Sequence, residues 1–429
     1  MLAAFEIPPV ATATSDIAQS DETSQEIVNH GEAKSIEKLV ETDARCGVQN
    51  YGRLAKAFVR GRGARMWDAQ GKEYLDFLGG IAVVTVGHSH ARVAEAVSQQ
   101  MNAIQHSSNI YYIEPQVRLA EKLSELSGGM RAFFCNSGAE ANEAALKMAR
   151  KCVKSRDANR FEIITTLDSF HGRTYGSLAA TGQPKYHEGF EPMPGGFLYV
   201  ERNNIEALKA AVNERTAAIM IEPVQGESGI WPMTLEYLRA ARELCDANGA
   251  VLIFDEVQCG MGRTGKFFAH QWTDVKPDII VMAKGLGNGV PIGALLARDE
   301  VAAAFVPGTH GCTFGGNFIS TSAALATLEV LRDEDLMNNA HVVGKYFESE
   351  LQKWNNETGA IKEIRSHGLM VGLSLNEPKA KDLMRACLED GLVFNAIGDD
   401  ILRFLPPLCI TKSDVDDAMK IIARAYSAI

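Results

Sequence analysis

Ile279-Ile280-Val281-Met282-Ala283-Lys284-Gly285-Leu286-Gly287-Asn288-Gly289 joins an apolar run of strand length to a glycine-rich turn, with a lysine at the junction. A second apolar run, Val251-Leu252-Ile253-Phe254, ends in Asp255-Glu256-Val257-Gln258. Neither run alternates with polar residues, the pattern of a strand buried on both faces. Each delivers a charged side chain at its carboxyl end, where open α/β sheets build their ligand sites.

Working outward, further strands are predicted at 131–135, 161–165, 217–221 and 293–297, with helices near 92–105, 115–124, 204–212 and 235–248. Such alternation predicts an α/β fold with a mostly parallel, helix-covered sheet. Ahead of it, the stretch from Phe58 reads as two short strands around the turn Asp68-Ala69-Gln70-Gly71. Behind it come a long helix from 320 towards Trp354, a strand at Gly372-Leu373-Ser374-Leu375, a helix at 379–390 and a last helix from Ser413, together an α+β lobe. Up to about Glu32 the chain is too rich in Ser, Thr, Asp and Glu to pack alone, and 36–44 suits a short amphipathic helix. The expected division is a disordered arm over 1–45, the first part of a small domain over 46–97, a large cofactor-binding domain over 98–314 and the rest of the small domain over 315–429.

The chain has 429 residues, enough for more than one packed lobe. Its 46% hydrophobic and 23% charged residues are those of an ordinary globular protein. A net charge of -11 argues against nucleic acid or an anionic membrane as a partner, and no run approaches bilayer-spanning length. Eight cysteines without a C-x-x-C pair suggest reduced thiols in a cytoplasm, neither a disulfide framework nor a metal knuckle. His88-Ser89-His90 lacks a third ligand at sensible spacing for zinc and reads as a polar turn.

Lys284 carries the chemistry. An amine in partly apolar surroundings loses some preference for its charged form and becomes a usable Schiff-base nucleophile. An aldehyde cofactor then needs an acidic partner for its ring, and the pair Asp255 and Lys284 suits pyridoxal 5'-phosphate. Ser137-Gly138-Ala139-Glu140-Ala141-Asn142-Glu143 follows a strand and opens a helix, the grammar of a phosphate site, although the heptad alone reads equally well as a capped turn. Phe170 and Arg173, in Asp168-Ser169-Phe170-His171-Gly172-Arg173, are suited to stacking on a planar ring and forking onto a carboxylate; in isolation they read as core and as surface charge. His171 reads better as a structural histidine than as a base. The two acids of Glu222-Pro223-Val224-Gln225-Gly226-Glu227 raise glycoside hydrolysis, which the lack of a nearby aromatic cluster disfavours. A carboxylate masking Arg403, in Leu402-Arg403-Phe404, fits better. Thr313 lies in a small-residue loop, Thr309 to Asn317, that is weak evidence by itself.

Taken in order, SGAEANE, FHGR, EPVQGE, DEVQ, MAKGLGNGVPIGA and TFGGN resemble the signatures of class III pyridoxal-phosphate aminotransferases, from about Tyr51 to the C-terminus. Within that family the segments resemble acetylornithine aminotransferases most. The resemblance implies an aspartate-aminotransferase-like (fold type I) architecture, with a large domain and a small α+β domain built from both chain ends. It implies Lys284 as the Schiff-base lysine and proton carrier, Asp255 at the ring nitrogen, Gly138 and Ala139 at the phosphate, Phe170 and Val257 on the ring faces and Gln258 near the ring hydroxyl. Thr313 is then expected to reach the cofactor of a partner subunit, which makes the protein a homodimer. Arg173, Glu227, Arg403 and Tyr51 are the implied substrate contacts, with no metal. The expected reaction is exchange between N-acetylornithine and 2-oxoglutarate. The alternatives are ornithine, succinyl-diaminopimelate, acyl-lysine or 4-aminobutyrate aminotransferases, an aminomutase on glutamate semialdehyde, or a non-catalytic cofactor-binding subunit. Ile81 stands where ornithine aminotransferases commonly carry an aromatic residue, which favours an acylated donor. Phe318 follows Asn317 where the family usually has proline.

Overall fold

The computed structural model describes Ser35–Ile429. Of the described residues, those up to Phe58 form one unit and Val59–Ile429 a second. In the first, Ser35 caps helix α1 (Ile36–Cys46) by accepting the Lys38 N–H, and Arg53 pairs with Asp43 at 2.9 Å. This helix takes up the end of the stretch expected to be a disordered arm, and 1–34 lie outside the described residues.

The stretch from Phe58 forms three strands where two were expected: β1 (Phe58–Arg62), β2 (Arg65–Asp68) and β3 (Glu73–Asp76). Gly63, at φ +57°, breaks the first run into two, because a left-handed residue reverses the chain and glycine takes that conformation without a Cβ clash. Helices α2 (Ala91–Ala103) and α3 (Glu114–Ser127) follow, α2 running through the expected 97/98 boundary.

The central sheet has seven strands: β4 (Arg131–Cys135), β5 (Glu162–Thr166), β6 (Phe197–Val200), β7 (Thr216–Ile221), β10 (Val251–Asp255), β11 (Ile279–Met282) and β12 (Gly293–Ala297). The hairpin β8 (Val224–Gln225) and β9 (Trp231–Pro232) stands apart from it. Sheet order is β4-β12-β11-β10-β7-β5-β6, with only β12 antiparallel to its neighbours. Helices α4 (Gly138–Lys154) and α7 (Leu235–Asn248) cover it, α5 (Tyr175–Ala180) and α6 (Ile205–Ala211) being shorter. The unbroken apolar runs have a simple cause. Val251 and Ile253 pack in one cluster with Ala141, Ala145 and Met148 of α4, while Leu252 and Phe254 pack in another with Leu238 and Ala241 of α7. Edge strand β6 escaped the sequence reading because its side chains are only partly covered.

The long helix expected after 320 is two, α8 (Phe318–Asp333) and α9 (Leu336–Thr358), parted at Asp335 with φ +50°. Aspartate tolerates that left-handed conformation better than most residues, so no glycine marks the break. A four-stranded antiparallel sheet, order β13-β14-β17-β16, is built from β13 (Ile361–His367), β14 (Met370–Leu375), β16 (Asn395–Ile397) and β17 (Ile401–Phe404), accompanied by α10 (Ala380–Glu389) and α11 (Lys412–Ala428). Between them β15 (Leu392–Val393) pairs in parallel with β3, so strands from both ends of this unit share a sheet.

Candidate active site

Strand period places the acid. Residues 251, 253 and 255 point to one face, and the first two meet α4, so Asp255 meets α4 as well. There Asn142 donates to its Oδ2 at 2.8 Å and His171 Nδ1 stands 2.7 Å from the same oxygen. Val257 N–H holds Oδ1 at 3.0 Å. All three polar side chains are buried. Burial opposes charge on His171, but the hydrogen bond and charge of Asp255, with Glu222 behind, outweigh it and raise its pKa above the ordinary value. Asp255 is thus held as a carboxylate by three partners, two on Oδ2 and one on Oδ1, which leaves Oδ1 able to accept a further donor, at the wall of a cavity of about 420 Å³.

Lys284 lines the same cavity from the end of β11. Its backbone is left-handed, at φ +39°, a conformation that costs an L residue of order 1–3 kcal/mol and concentrates at functional sites. Burial lowers its pKa; Glu227 opposes this and Arg403 adds to it. The amine is therefore shifted towards the nucleophilic neutral form.

Ser137, Gly138 and Ala139 line the cavity at the start of α4. Ser137 caps the helix through the Glu140 N–H, and first-turn amides have no partner within the helix. A Cβ at Gly138 would lie 2.9 Å from Val257 Cγ1, so a side chain there would have to displace that methyl. Unpartnered amides at a positive helix end, approached without obstruction, suit a phosphate. Phe170 and Val257 supply apolar walls, and Gln258, whose Oε1 is buried without a partner, lies on the same lining. The residues present therefore fit a planar, phosphorylated aldehyde with a basic ring nitrogen.

Two guanidiniums stand in different settings. Arg173 is exposed on the cavity lining, 3.9 Å from the Tyr186 ring centroid and 5.6 Å from that of Phe170. Arg403 is buried on β17, where Nη1 donates to Glu227 Oε2 at 2.8 Å and to Gly226 O at 2.9 Å. The reading of Arg403 as a masked arginine matches this geometry better than an exposed strand-end charge. Thr313 is exposed and lines a neighbouring pocket with Glu140 and His310, which meets the cavity at Asn136; Thr313 itself is not on the cavity lining. Tyr51, in the first unit, is exposed with the Arg53 guanidinium over its ring. His88 pairs with Asp76 and His90 with Glu334; among the described residues no cluster is arranged to hold a metal.

Three features were not assigned to the site from the sequence. Asn142 lies within Ser137–Glu143, one turn along the helix, and its side chain is buried. Glu222 lines the cavity, buried. Four consecutive residues, Gly79 to Ala82, have φ of 57° to 64°, a left-handed turn closed by Val83 N–H and Val84 N–H on Gly79 O. Asp76 holds its entrance through the amides of Leu78 and Gly79. Ile81 packs against an apolar cluster with Val224 and Leu405, and Val83 is the residue that lines the cavity.

The class-III aminotransferase family model matches residues 48–426. The chain belongs to the class-III aminotransferases. The acetylornithine aminotransferase of Methanocaldococcus jannaschii is 50% identical over 398 residues, 92% of this chain and 99% of its own. Among solved structures, the acetylornithine aminotransferase of Elizabethkingia anophelis superposes with TM-score 0.84 and 34% identity, covering 92% of this aminotransferase and all of the other chain (100%). The ornithine aminotransferase of Toxoplasma gondii, described with partial occupancy of PLP at its active site, gives TM-score 0.89 at 32% identity, covering 92% of this chain and 95% of that one.

Proposed function

We propose that this class-III aminotransferase moves the terminal amino group of N2-acetylornithine to 2-oxoglutarate, giving N-acetylglutamate 5-semialdehyde and glutamate, reversibly and in ping-pong order, as a step of arginine biosynthesis. The observation that carries the reading is Arg403 paired with Glu227 at 2.8 Å, with Arg173 free of any carboxylate partner among the described residues. One pocket then serves two unlike substrates.

The cofactor is pyridoxal 5'-phosphate, which supplies an aldehyde carbon that condenses with amines and a protonated ring that draws electrons from the substrate carbon. In this reading the amides of Gly138 and Ala139 would bind its phosphate, Phe170 and Val257 would pack against its ring, Gln258 would sit near its hydroxyl and Asp255 would keep its ring nitrogen protonated. Lys284 would hold the cofactor's aldehyde carbon in the resting enzyme; released when the substrate amine takes its place, its free amine would carry a proton from the reacting substrate carbon to the other side of the exchange. Arg173 holds the α-carboxylate of acetylornithine, or the distal carboxylate of glutamate. Glu227 neutralises Arg403 while the amine is bound and yields it to the α-carboxylate of glutamate in the second half-reaction.

We place Thr313 at the cofactor phosphate of a second copy, which makes the enzyme a homodimer. Its loop adjoins Ile110, Tyr111 and Tyr112, exposed at 84, 68 and 96%, through Asn109 donating to Cys312 O and Gly315 O. Apolar surface so concentrated is the kind that subunit contacts cover. Tyr51 joins the substrate contacts, the small domain comprises 46–97 and 315–429 around a cofactor domain of 98–314, and the eight free thiols suit a cytoplasmic enzyme.

A panel of amino donors with 2-oxoglutarate, ranked by kcat/KM, tests the substrate. N-acetylornithine should lead. If free ornithine or 4-aminobutyrate exceeds it by about a hundredfold, roughly 2.7 kcal/mol of transition-state binding, the reading is wrong.

A further inference from the structure

Glu222 follows β7 at its carboxyl end, lines the cavity and is 5% exposed, yet no cation pairs with it among the described residues. A buried carboxyl whose nearest positive charge, His171, makes no direct ion pair with it is costly to charge, so its retention calls for contacts that use it. It has two. Oε2 accepts the Phe170 N–H at 3.0 Å and Oε1 accepts the Gly226 N–H at 3.4 Å. These amides belong to the two loops that carry the substrate groups: one leads through Gly172 to Arg173, the other into Glu227.

The Gly226 carbonyl continues the connection, accepting Arg403 Nη1 at 2.9 Å. A Cβ at Gly226 would collide with the Gln258 side-chain amide, so that peptide lies close against the cavity lining. A chain of contacts thus runs from the Phe170 amide through the Glu222 carboxylate and the Gly226 residue to the guanidinium. Among the described residues Arg403 Nη1 has two acceptors, Glu227 and Gly226 O, while Nε donates to Asn395 Oδ1 at 3.0 Å. When Glu227 turns away to admit a second carboxylate, Gly226 O is the contact left on Nη1, the nitrogen that must meet the substrate.

We propose that Glu222 is a positioning residue for the dicarboxylate substrate: by clasping the Phe170 and Gly226 amides it fixes the backbone carbonyl that aims Arg403. The inference rests on the functional reading above, in which Arg403 receives the α-carboxylate of glutamate. While Glu227 pairs with Arg403, the ion pair holds the guanidinium and the clasp matters less. Glu222 therefore acts chiefly on one half-reaction.

The test compares Glu222→Gln and Glu222→Ala with the wild-type holoenzyme in single half-reactions, reading the cofactor's visible absorbance. Glu222→Gln keeps the volume but sets an amide NH2 against a backbone N–H; Glu222→Ala removes both acceptors. The expected result is an increase of about tenfold in the concentration of 2-oxoglutarate or glutamate giving half-maximal rate, with the limiting rate, the amino-donor half-reaction and cofactor affinity within about threefold of wild type. Equal losses in both half-reactions, weakened cofactor binding, or a lowered Tm with unchanged kinetics would each overturn the proposal. If Glu222→Ala does not fold, Glu222→Gln decides alone. Wild-type turnover of N-acetylornithine, measured first, judges the substrate reading separately; should another donor prove better, the same variant-to-wild-type ratios are taken with that donor.

Discussion

Arg403 and Glu227 pair at 2.8 Å with unequal burial, the guanidinium side chain 1% exposed and the carboxylate 28%. The arginine is fixed in the protein interior and the glutamate has access to water, so the glutamate is the partner able to leave. Removing it strands a buried cation, a change that costs roughly 3–5 kcal/mol unless another carboxylate arrives.

Glu227→Ala should therefore slow the half-reaction with the amino donor by at least about tenfold more than that with glutamate, which brings its own carboxylate. Rapid-mixing measurement of each half-reaction through the cofactor absorbance checks this. Equal losses would remove the basis for the switch.

Lys284→Ala should lower the rate of both half-reactions by about 10²–10⁴-fold, because no other amine on the cavity lining can carry the proton. The visible spectrum of the bound cofactor should change in parallel. A variant that keeps wild-type turnover would move the proton carrier elsewhere.

Gly138→Ala should weaken cofactor binding by about tenfold, since a Cβ 2.9 Å from Val257 Cγ1 pushes that wall towards the ring and overpacking costs about 1–3 kcal/mol. Titration of the cofactor-free enzyme, followed by fluorescence, gives the dissociation constant. The helix itself should persist, as alanine favours it.

Burial pushes the Glu222 carboxyl up from 4.5 to about 7, with the His171 charge acting against the rise and the Asp255 charge adding to it. The folded protein then holds this proton more tightly than the unfolded chain. The contribution is fully present below pH 4.5 and is lost as the pH climbs through about 7. Glu222→Gln has no such proton, so its Tm relative to wild type should improve steadily between those pH values. A Tm difference that stays constant across the window would show that Glu222 titrates normally.

Much of the fold was legible because its signals are local. β4, β11 and β12 follow the expected 131–135, 279–282 and 293–297, since two-sided burial leaves an apolar run bounded by turn residues. The parting at Asp335 and the edge strand β6 were not legible: an aspartate in a left-handed conformation and a half-covered strand both lack a distinctive pattern. At the site, Lys284, Asp255 and the heptad Ser137–Glu143 stood out as charged or small residues at or just after strand ends. Asn142 and Glu222 did not, because a buried polar side chain is recognised only by partners that come from other segments.

By itself the sequence determined what depends on neighbours along the chain: strand period, helix capping, the turn after Met282 and the residue types delivered there. Tertiary structure decided which of these meet. His171 reaches Asp255 across 84 positions and Glu227 reaches Arg403 across 176. Those pairings depend on strand order and on the packing of the β17 sheet against the β8–β9 turn, long-range contacts that no local pattern encodes. The chemistry of each group was written in its residue type; its pKa, its partner and its freedom to move were set by burial.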